Sequence, residues 1–228
     1  MAKKKTRKAD NIQELETVLT KTEQFIEENQ KPISYVIGAI ILIVMGYLAF
    51  NKFYLQPREK EAQSQMFMAE NYFEKDSFNL AINGDGNYLG FLDIIDDYTM
   101  TKSANLAKYY TGISFLHLGQ YEEAFDYLND FKTKDLLLAT VAEGAKGDAK
   151  LEQGKEKEAL NYYKKAYSLN NNEFTNPVFM MKAARLLESM EDLSGALVIY
   201  KEIKEKYPQS PEGQNIDKYI ATVENLLN

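Results

Sequence analysis

Few residues of this 228-residue chain could carry out chemistry. His117 is the only histidine and there are no cysteines, which excludes a histidine-based triad, a multi-histidine metal site and a thiolate nucleophile. Asp93, Asp96 and Asp97 fall at i, i+3 and i+4 and could share one helical face, but no acid–base partner accompanies them and a solvated face is the default interpretation. The sequence therefore predicts a protein that is not an enzyme, with no metal site and no cofactor.

The stretch "NGDG" at residues 83–86 could be interpreted as a calcium loop or a phosphate cradle. The carboxylate expected twelve residues into a calcium loop is missing, and no strand precedes the glycines. The chain also lacks a G-x-x-x-x-G-K-[ST] nucleotide loop. We therefore expect a turn between two helices at this place.

An apolar segment near the N-terminus sets the organisation of the chain. Residues 33–50 contain no charged side chain, and a helix of that length can cross a hydrocarbon core about 30 Å thick. A buried core helix would show a polar stripe, and a cleaved export signal would have a shorter leader and small residues after the apolar run. The sequence predicts an uncleaved transmembrane helix over residues 33–55, crossing the membrane once.

The distribution of basic residues predicts the orientation of this helix. Three follow the charge-free run of residues 33–50 closely, Lys52, Arg58 and Lys60, whereas seven precede it: Lys3, Lys4, Lys5, Arg7, Lys8, Lys21 and Lys31. The positive-inside rule then places residues 1–32, a basic tail and an amphipathic helix, in the cytosol and the rest outside. The alternative for "KKKTRK" is a nucleic-acid or ribosomal RNA contact, so the tail could lie near the ribosome. The remainder of the chain is acidic, which does not favour nucleic acid as its specific partner.

The chain repeats itself after residue 103. Three segments align on Ala124, Ala159 and Ala196, which are 35 and 37 residues apart, close to the roughly 34-residue tetratricopeptide period. Small residues at these positions suit the close approach of two antiparallel helices. The sequence predicts an all-α protein in which the transmembrane helix is followed by a diverged leading helix pair at 57–102 and a tetratricopeptide α-solenoid at 103–228.

Several stretches resemble the YfgM-like ancillary subunit of the bacterial Sec translocon. The junction "FIEENQKPISYVIGAIILIV", with Glu28, Asn29 and Lys31 just before the span, is similar to the junction of that family, and "AINGDGNYLGFLDIIDDY" and "KSANLAKYYTGISFLHLGQYEEA" are similar to its Bacteroidota versions. The resemblance implies a bacterial inner-membrane protein with a periplasmic repeat domain. It also implies binding to SecYEG and to a PpiD-type membrane-anchored chaperone, and assistance to exported polypeptides. The alternatives are an envelope-assembly or cell-division coordinator on the same anchor, and an organelle receptor in the reversed orientation.

The predicted binding residues follow from the repeat pattern. In a tetratricopeptide superhelix the first helix of each unit lines the concave surface, which here predicts a partner-binding groove of Tyr109, Tyr110, Ile113, His117, Asp148, Glu152, Met181, Lys182 and Arg185. Aromatic residues and methionine offer adaptable contacts, and charges select the ligand. The alternative is that Tyr109 and Tyr110 pack on neighbouring helices.

Ser34, Gly38, Gly46 and Ala49 lie on one side of the span, where a partner helix could approach closely, or they could simply face lipid.

Overall fold

The computed structural model describes Phe25 and residues 27–228. The predicted basic tail and most of the predicted amphipathic helix before the span lie outside these residues. The chain divides into two compact units, Met1–Pro57 and Arg58–Asn228. The prediction of an all-α fold is confirmed, since no residue in the described part of the chain lies in a strand.

The first unit contains the apolar helix α1, Gln30–Phe50, followed by a π-helical turn, Asn51–Leu55. No residue of α1 is buried, and α1 is part of a helix that is long and apolar enough to cross a membrane. A helix suits this role because all of its backbone hydrogen bonds are made within the segment. Phe50 and Tyr54 stack with ring centroids 5.0 Å apart at the end of the apolar run, where aromatic residues suit a membrane interface.

The remaining helices follow one another with short connections. In chain order they are α2 (Gln56–Glu74), α3 (Phe78–Asn83), α4 (Phe91–Asp97), α5 (Lys102–His117), α6 (Tyr121–Asp130), α7 (Leu136–Glu152), α8 (Glu156–Ser168), α9 (Asn176–Ser189), α10 (Leu193–Lys206), α11 (Pro211–Gln214) and α12 (Ile216–Leu227). Each helix from α5 to α10 packs against the next, so the chain forms three consecutive helix pairs, α5–α6, α7–α8 and α9–α10.

Small residues set the spacing within these pairs. Ala124, Ala159 and Ala196 have no exposed surface. A methyl group added at Gly112 would lie 2.6 Å from the side chain of Leu128, and one added at Gly147 would lie 2.6 Å from the ring of Tyr163. These distances are shorter than van der Waals contact, so the helices of each pair are as close as their side chains allow.

The unit has two hydrophobic clusters. The first is built around α2, α4 and α5, with Phe91 and Ile94 fully buried. The second joins α8, α9, α10 and α12, with Tyr163 and Tyr200 almost fully buried. The amphipathic helix α12 closes the end of the stack, because its buried residues Ile216, Ile220 and Val223 recur at helical spacing.

The leading segment has one long helix and two short ones where the sequence predicts a helix pair. The "NGDG" stretch begins at the last residue of α3, Asn83, and continues into the loop before α4, where it forms a turn. Asp85 holds this turn: its carboxylate accepts hydrogen bonds from the amides of Asn87 (2.9 Å) and Tyr88 (2.8 Å) and from the Tyr72 hydroxyl (2.7 Å). These hydrogen bonds lower the pKa of Asp85 below its usual value, and the bond from Tyr72 contributes most. The Asp85 carboxylate therefore stabilises the loop.

Candidate protein-binding surface

A cleft of about 450 Å³ opens beside α9, at the C-terminal end of the repeat unit. The residues that line it come from α9, α11 and α12 and the turn between these last two: Val178, Met181, Lys182, Arg185, Pro211, Glu212, Asn215, Lys218 and Tyr219. The cleft combines apolar and aromatic surface with three basic side chains and one acidic side chain. Such a lining suits a polypeptide segment, since aromatic and methionine side chains supply contact area and the charges supply selectivity.

Asp148 connects two of the repeats beside this cleft. Its carboxylate accepts two hydrogen bonds from Lys182 Nζ, at 2.6 and 2.7 Å, and one from the Tyr163 hydroxyl at 2.7 Å. Lys182 therefore faces the cleft with its charge already paired. The pair is part-exposed, with 40% of the Lys182 side chain and 28% of the Asp148 side chain accessible, so its main effect is to fix the position of Lys182.

Arg185 is held against the ring of Tyr219 on the other side of the cleft. Its Nη2 donates a hydrogen bond of 2.6 Å to the Tyr219 hydroxyl, and its guanidinium carbon lies 5.2 Å from the ring centroid. Lys218 Nζ lies 4.9 Å from the same centroid. The hydrogen bond from Arg185 is the largest of the effects that lower the pKa of Tyr219 below its usual value. Two cations therefore surround one aromatic ring at the mouth of the cleft.

The groove residues predicted on α5 form a separate group and are largely used in packing. Tyr110 stacks on Phe91 with centroids 5.2 Å apart, and Tyr109 lies 5.5 Å from Phe131. Burial raises the pKa of both tyrosines. The ring of His117 is stacked on that of Phe78 at 4.4 Å and remains exposed. The structure thus favours the packing alternative for both tyrosines.

The structure brings only some of the predicted groove residues together. Met181, Lys182 and Arg185 line the cleft, with Met181 only 8% exposed, and Asp148 contacts Lys182 directly. Ile113 is half-buried on α5 and Glu152 is exposed at the end of α7. The contribution of Asn215, Lys218 and Tyr219 was missed by the sequence analysis. The amphipathic pattern of α12 could have indicated this contribution. Its apolar face, formed by Ile216, Ile220 and Val223, has to pack against another helix, which brings α12 to the repeats.

Two buried tyrosines beside the cleft predict a loss of stability at alkaline pH. Burial, followed by the effect of Asp148, raises the pKa of Tyr163, and burial with the bond to Glu188 raises that of Tyr200. Their stabilising effect is complete below the unfolded-state pKa of about 10 and is lost as the pH rises from there towards the folded-state values.

Urea unfolding at a series of pH values should therefore show stability that declines above about pH 10. The variant Tyr163→Phe should have lower stability at neutral pH, because it loses the bond to Asp148, and a shallower decline. An equally steep decline in this variant would contradict the assignment to Tyr163.

Comparisons with known proteins agree with the helix pairs. Family models described as tetratricopeptide repeat match residues 106–135 and 150–216. No curated protein matches the chain. Nine chains of solved structures match. One is a crystal structure from Podosopora anserina described as "kinesin light chain nearly identical TPR-like repeats". It has 13% sequence identity and a TM-score of 0.57, and the match covers 73% of this chain and 86% of that chain.

At 13% identity this likeness shows the fold alone. The matched residues fall on the observed helices, since 106–135 cover most of α5 with α6, and 150–216 run from the end of α7 through α11. Proteins with this fold are typically non-enzymatic scaffolds for protein–protein interaction. Residues 106–135 and 150–216 are therefore tetratricopeptide repeats, within an all-α chain that also carries one apolar helix able to span a membrane.

Proposed function

We propose that the protein is a non-enzymatic scaffold, anchored in the bacterial inner membrane by α1, whose periplasmic repeats act at the Sec translocon. In this role it binds SecYEG and a PpiD-type chaperone and assists exported polypeptides. The single observation that carries the scaffold role is the cleft beside α9, which is lined mostly by residues of the matched tetratricopeptide repeats, with Lys218 and Tyr219 added by α12. The translocon as the place of action rests on the resemblance of the sequence stretches quoted above.

The anchoring is supported by the chemistry of α1. Its 21 residues include a run without charge from Ile33 to Phe50, and its large apolar side chains are exposed. Exposed isoleucine, leucine and valine over five turns would be unfavourable in water and are favourable in a bilayer. The basic residues before the span support a cytosolic N-terminus.

The non-enzymatic role is supported by the use of the polar groups. Asp148 is occupied by Lys182 and Tyr163, Arg185 by Tyr219, and Asp85 by its own loop. These groups position side chains around surfaces, which is the chemistry of recognition.

The span offers a second contact that this role could use. Ser34, Gly38, Gly46 and Ala49 remain the proposed packing face for a translocon or chaperone helix. A methyl group added at Gly38 or at Gly46 would meet no atom within 4 Å, so this face is open. The Ser34 hydroxyl donates to the carbonyl oxygen of Gln30 in its own helix, which makes the face less polar than its sequence indicates.

Site-specific photo-crosslinking in native membranes tests the proposal. A photoreactive amino acid at Arg185, inside the cleft, should give adducts with translocon subunits, the chaperone or exported chains. The same group at Val198, which is exposed on α10, serves as the control and should give few or none. Adducts from position 185 with cell-division or envelope-assembly proteins alone would overturn the translocon role and support the alternative scaffold.

A further inference from the structure

Four exposed apolar side chains recur at the same place in successive repeats. Met100 is 67% exposed, Leu136 and Leu137 are 53% and 48% exposed, and Phe174 is 84% exposed. Each lies within two residues of the N-cap of the first helix of a pair, the N-caps being Thr101, Asp135 and Thr175. Isolated exposed apolar residues need no explanation, but a set repeated at the period of the fold does.

These side chains lie along one edge of the stack, which we call the N-cap edge. Consecutive helices are antiparallel, so the beginnings of α5, α7 and α9 lie beside the ends of α6, α8 and α10. Hydrogen bonds show this directly: Asn105 of α5 exchanges two bonds with the backbone of Lys132, just after α6, at 2.7 and 3.1 Å. In the third pair, Asn176 of α9 donates to the Tyr207 hydroxyl, just after α10, at 3.1 Å.

The loop that presents Phe174 is fixed by its own hydrogen bonds. The Asn172 side-chain oxygen accepts from the amides of Phe174 (2.9 Å) and Thr175 (2.7 Å), and the Tyr207 hydroxyl donates to Asn171 at 2.5 Å. Phe174 is therefore held outward by a structured turn.

The repeat unit begins at this same edge. Arg58 donates to the carbonyl oxygen of Asp97, and the Glu59 carboxylate accepts from the Lys102 amide at 2.5 Å and from the Ser103 hydroxyl at 2.9 Å. The first residues of the unit thus contact the beginning of α5, close in sequence to Met100. In the sequence, Arg58 lies four residues after Tyr54, the last of the three aromatic residues at the end of the apolar segment, Phe50, Phe53 and Tyr54.

The opposite edge is different in character. The turns between the helices of each pair lie there, as the bond of 2.9 Å from Gln153 to the backbone of Tyr121 shows. Its exposed residues in the three turns include Gln120, Lys155 and Glu191. The other exposed apolar side chains of the unit do not recur at the repeat period: Phe67, Leu80, Tyr88, Val198, Leu226 and Leu227. Of the two edges, only the N-cap edge has exposed apolar side chains that recur at the repeat period, and the repeat unit also begins there.

We propose that the N-cap edge rests on the lipid surface, with Met100, Leu136, Leu137 and Phe174 inserted at the interface. This inference rests on the membrane anchoring proposed above. A lipid surface fits better than a protein partner because the apolar side chains are spaced by polar loop residues, whereas the core of a protein interface is a contiguous apolar patch. The anchor keeps the protein at the membrane at all times, so weak insertion is sufficient.

Charge at the edge is mixed. Lys102, Lys132 and Lys134 are exposed there, together with Asp135 and Glu173. Attachment therefore depends on the apolar side chains rather than on anionic headgroups, and it should persist in neutral lipid and at high salt.

Fluorescence of single labelled cysteines in the full-length protein tests this proposal, and the chain has no cysteine of its own. The variants Met100→Cys, Leu137→Cys and Phe174→Cys carry an environment-sensitive dye on the N-cap edge. The controls Gln120→Cys, Lys155→Cys and Ser194→Cys carry it at exposed positions on the opposite edge. Each protein is reconstituted in nanodiscs of phosphatidylcholine, and a lipid-borne quencher reports contact with the bilayer.

We expect quenching on the N-cap edge to be about twofold or more that of the controls, and unchanged by salt. Equal and weak quenching at all six positions overturns the proposal. A shift of the dye emission in native membranes without quenching in the nanodiscs also overturns it, because it would indicate a protein partner. The variant Ile41→Cys, labelled within α1, separates the two proposals. If position 41 is strongly quenched and the edge is not, only the edge proposal fails; if position 41 is not quenched, the anchoring fails.

Discussion

Replacing Gly84 by alanine is expected to destabilise the repeat unit strongly. Gly84 has a φ of +75° and ψ of −178°, a region that is essentially open to glycine alone. A methyl group there would lie 2.2 Å from the carbonyl oxygen of Tyr88 and 2.9 Å from the amide of Gly90, and both are backbone atoms. Backbone strain and overpacking cost about 1 to 3 kcal/mol each, so Gly84→Ala should lower the free energy of unfolding by about 2 to 6 kcal/mol.

Gly86 provides a matched control in the same loop. Its φ is +89°, but a methyl group at this position would meet no atom within 4 Å. Gly86→Ala therefore carries only the conformational cost, about 1 to 2 kcal/mol. Urea unfolding followed by circular dichroism measures the free energy of unfolding of both variants. If the two variants lost the same free energy, the close contacts of a methyl group at position 84 would not contribute.

The loop matters for the surface because α3 and α4 support α5. Phe78, at the start of α3, stacks on His117, and Phe91, at the start of α4, stacks on Tyr110. Distorting the connection between these two helices would move both aromatic supports. Gly84→Ala should therefore change the environment of Tyr110 and His117 and leave the cleft beside α9, which belongs to the other hydrophobic cluster, close to its original form.

The parts of the fold that local pattern controls could be predicted from the sequence. The prediction of a membrane-spanning α1 depends only on the length and composition of its apolar run. The repeats could be predicted because the same local packing requirement, a small residue, recurs at Ala124, Ala159 and Ala196. The turn at residues 83–86 could be predicted because glycine and asparagine allow the backbone conformations that it needs.

The contents of the cleft could be predicted only in part, because they depend on contacts between distant residues. Met181, Lys182 and Arg185 lie on the first helix of a repeat, which the period identifies. Tyr219 and Lys218 reach the cleft only because α12 packs on α10, a contact that no repeat signal indicates. The packing of Tyr109 against Phe131 likewise depends on the loop after α6, so the pattern alone could not separate a groove tyrosine from a packed one.

The matched repeats also explain why the small residues at the helix crossings should not tolerate substitution by larger residues. Replacing Ala159 by leucine is expected to lower the free energy of unfolding by about 1 to 3 kcal/mol, because added methyl groups in a filled site force the helices apart. Ala159 has no exposed surface, and its carbonyl oxygen lies 3.3 Å from the position of a methyl group added at Gly147 on the facing helix α7. The crossing of α7 and α8 therefore has no space for a larger side chain.

Lys157→Leu, on the exposed face of the same helix, is the control for this substitution. It introduces the same side chain without overpacking and should change stability by no more than about 0.5 kcal/mol. Separation of α7 from α8 would also move Tyr163, whose hydroxyl holds Asp148 and through it Lys182. Ala159→Leu should therefore weaken crosslinking from position 185 as well as lower the melting temperature. If it melted like the unmodified protein, the alignment of the repeats on their alanines would be wrong.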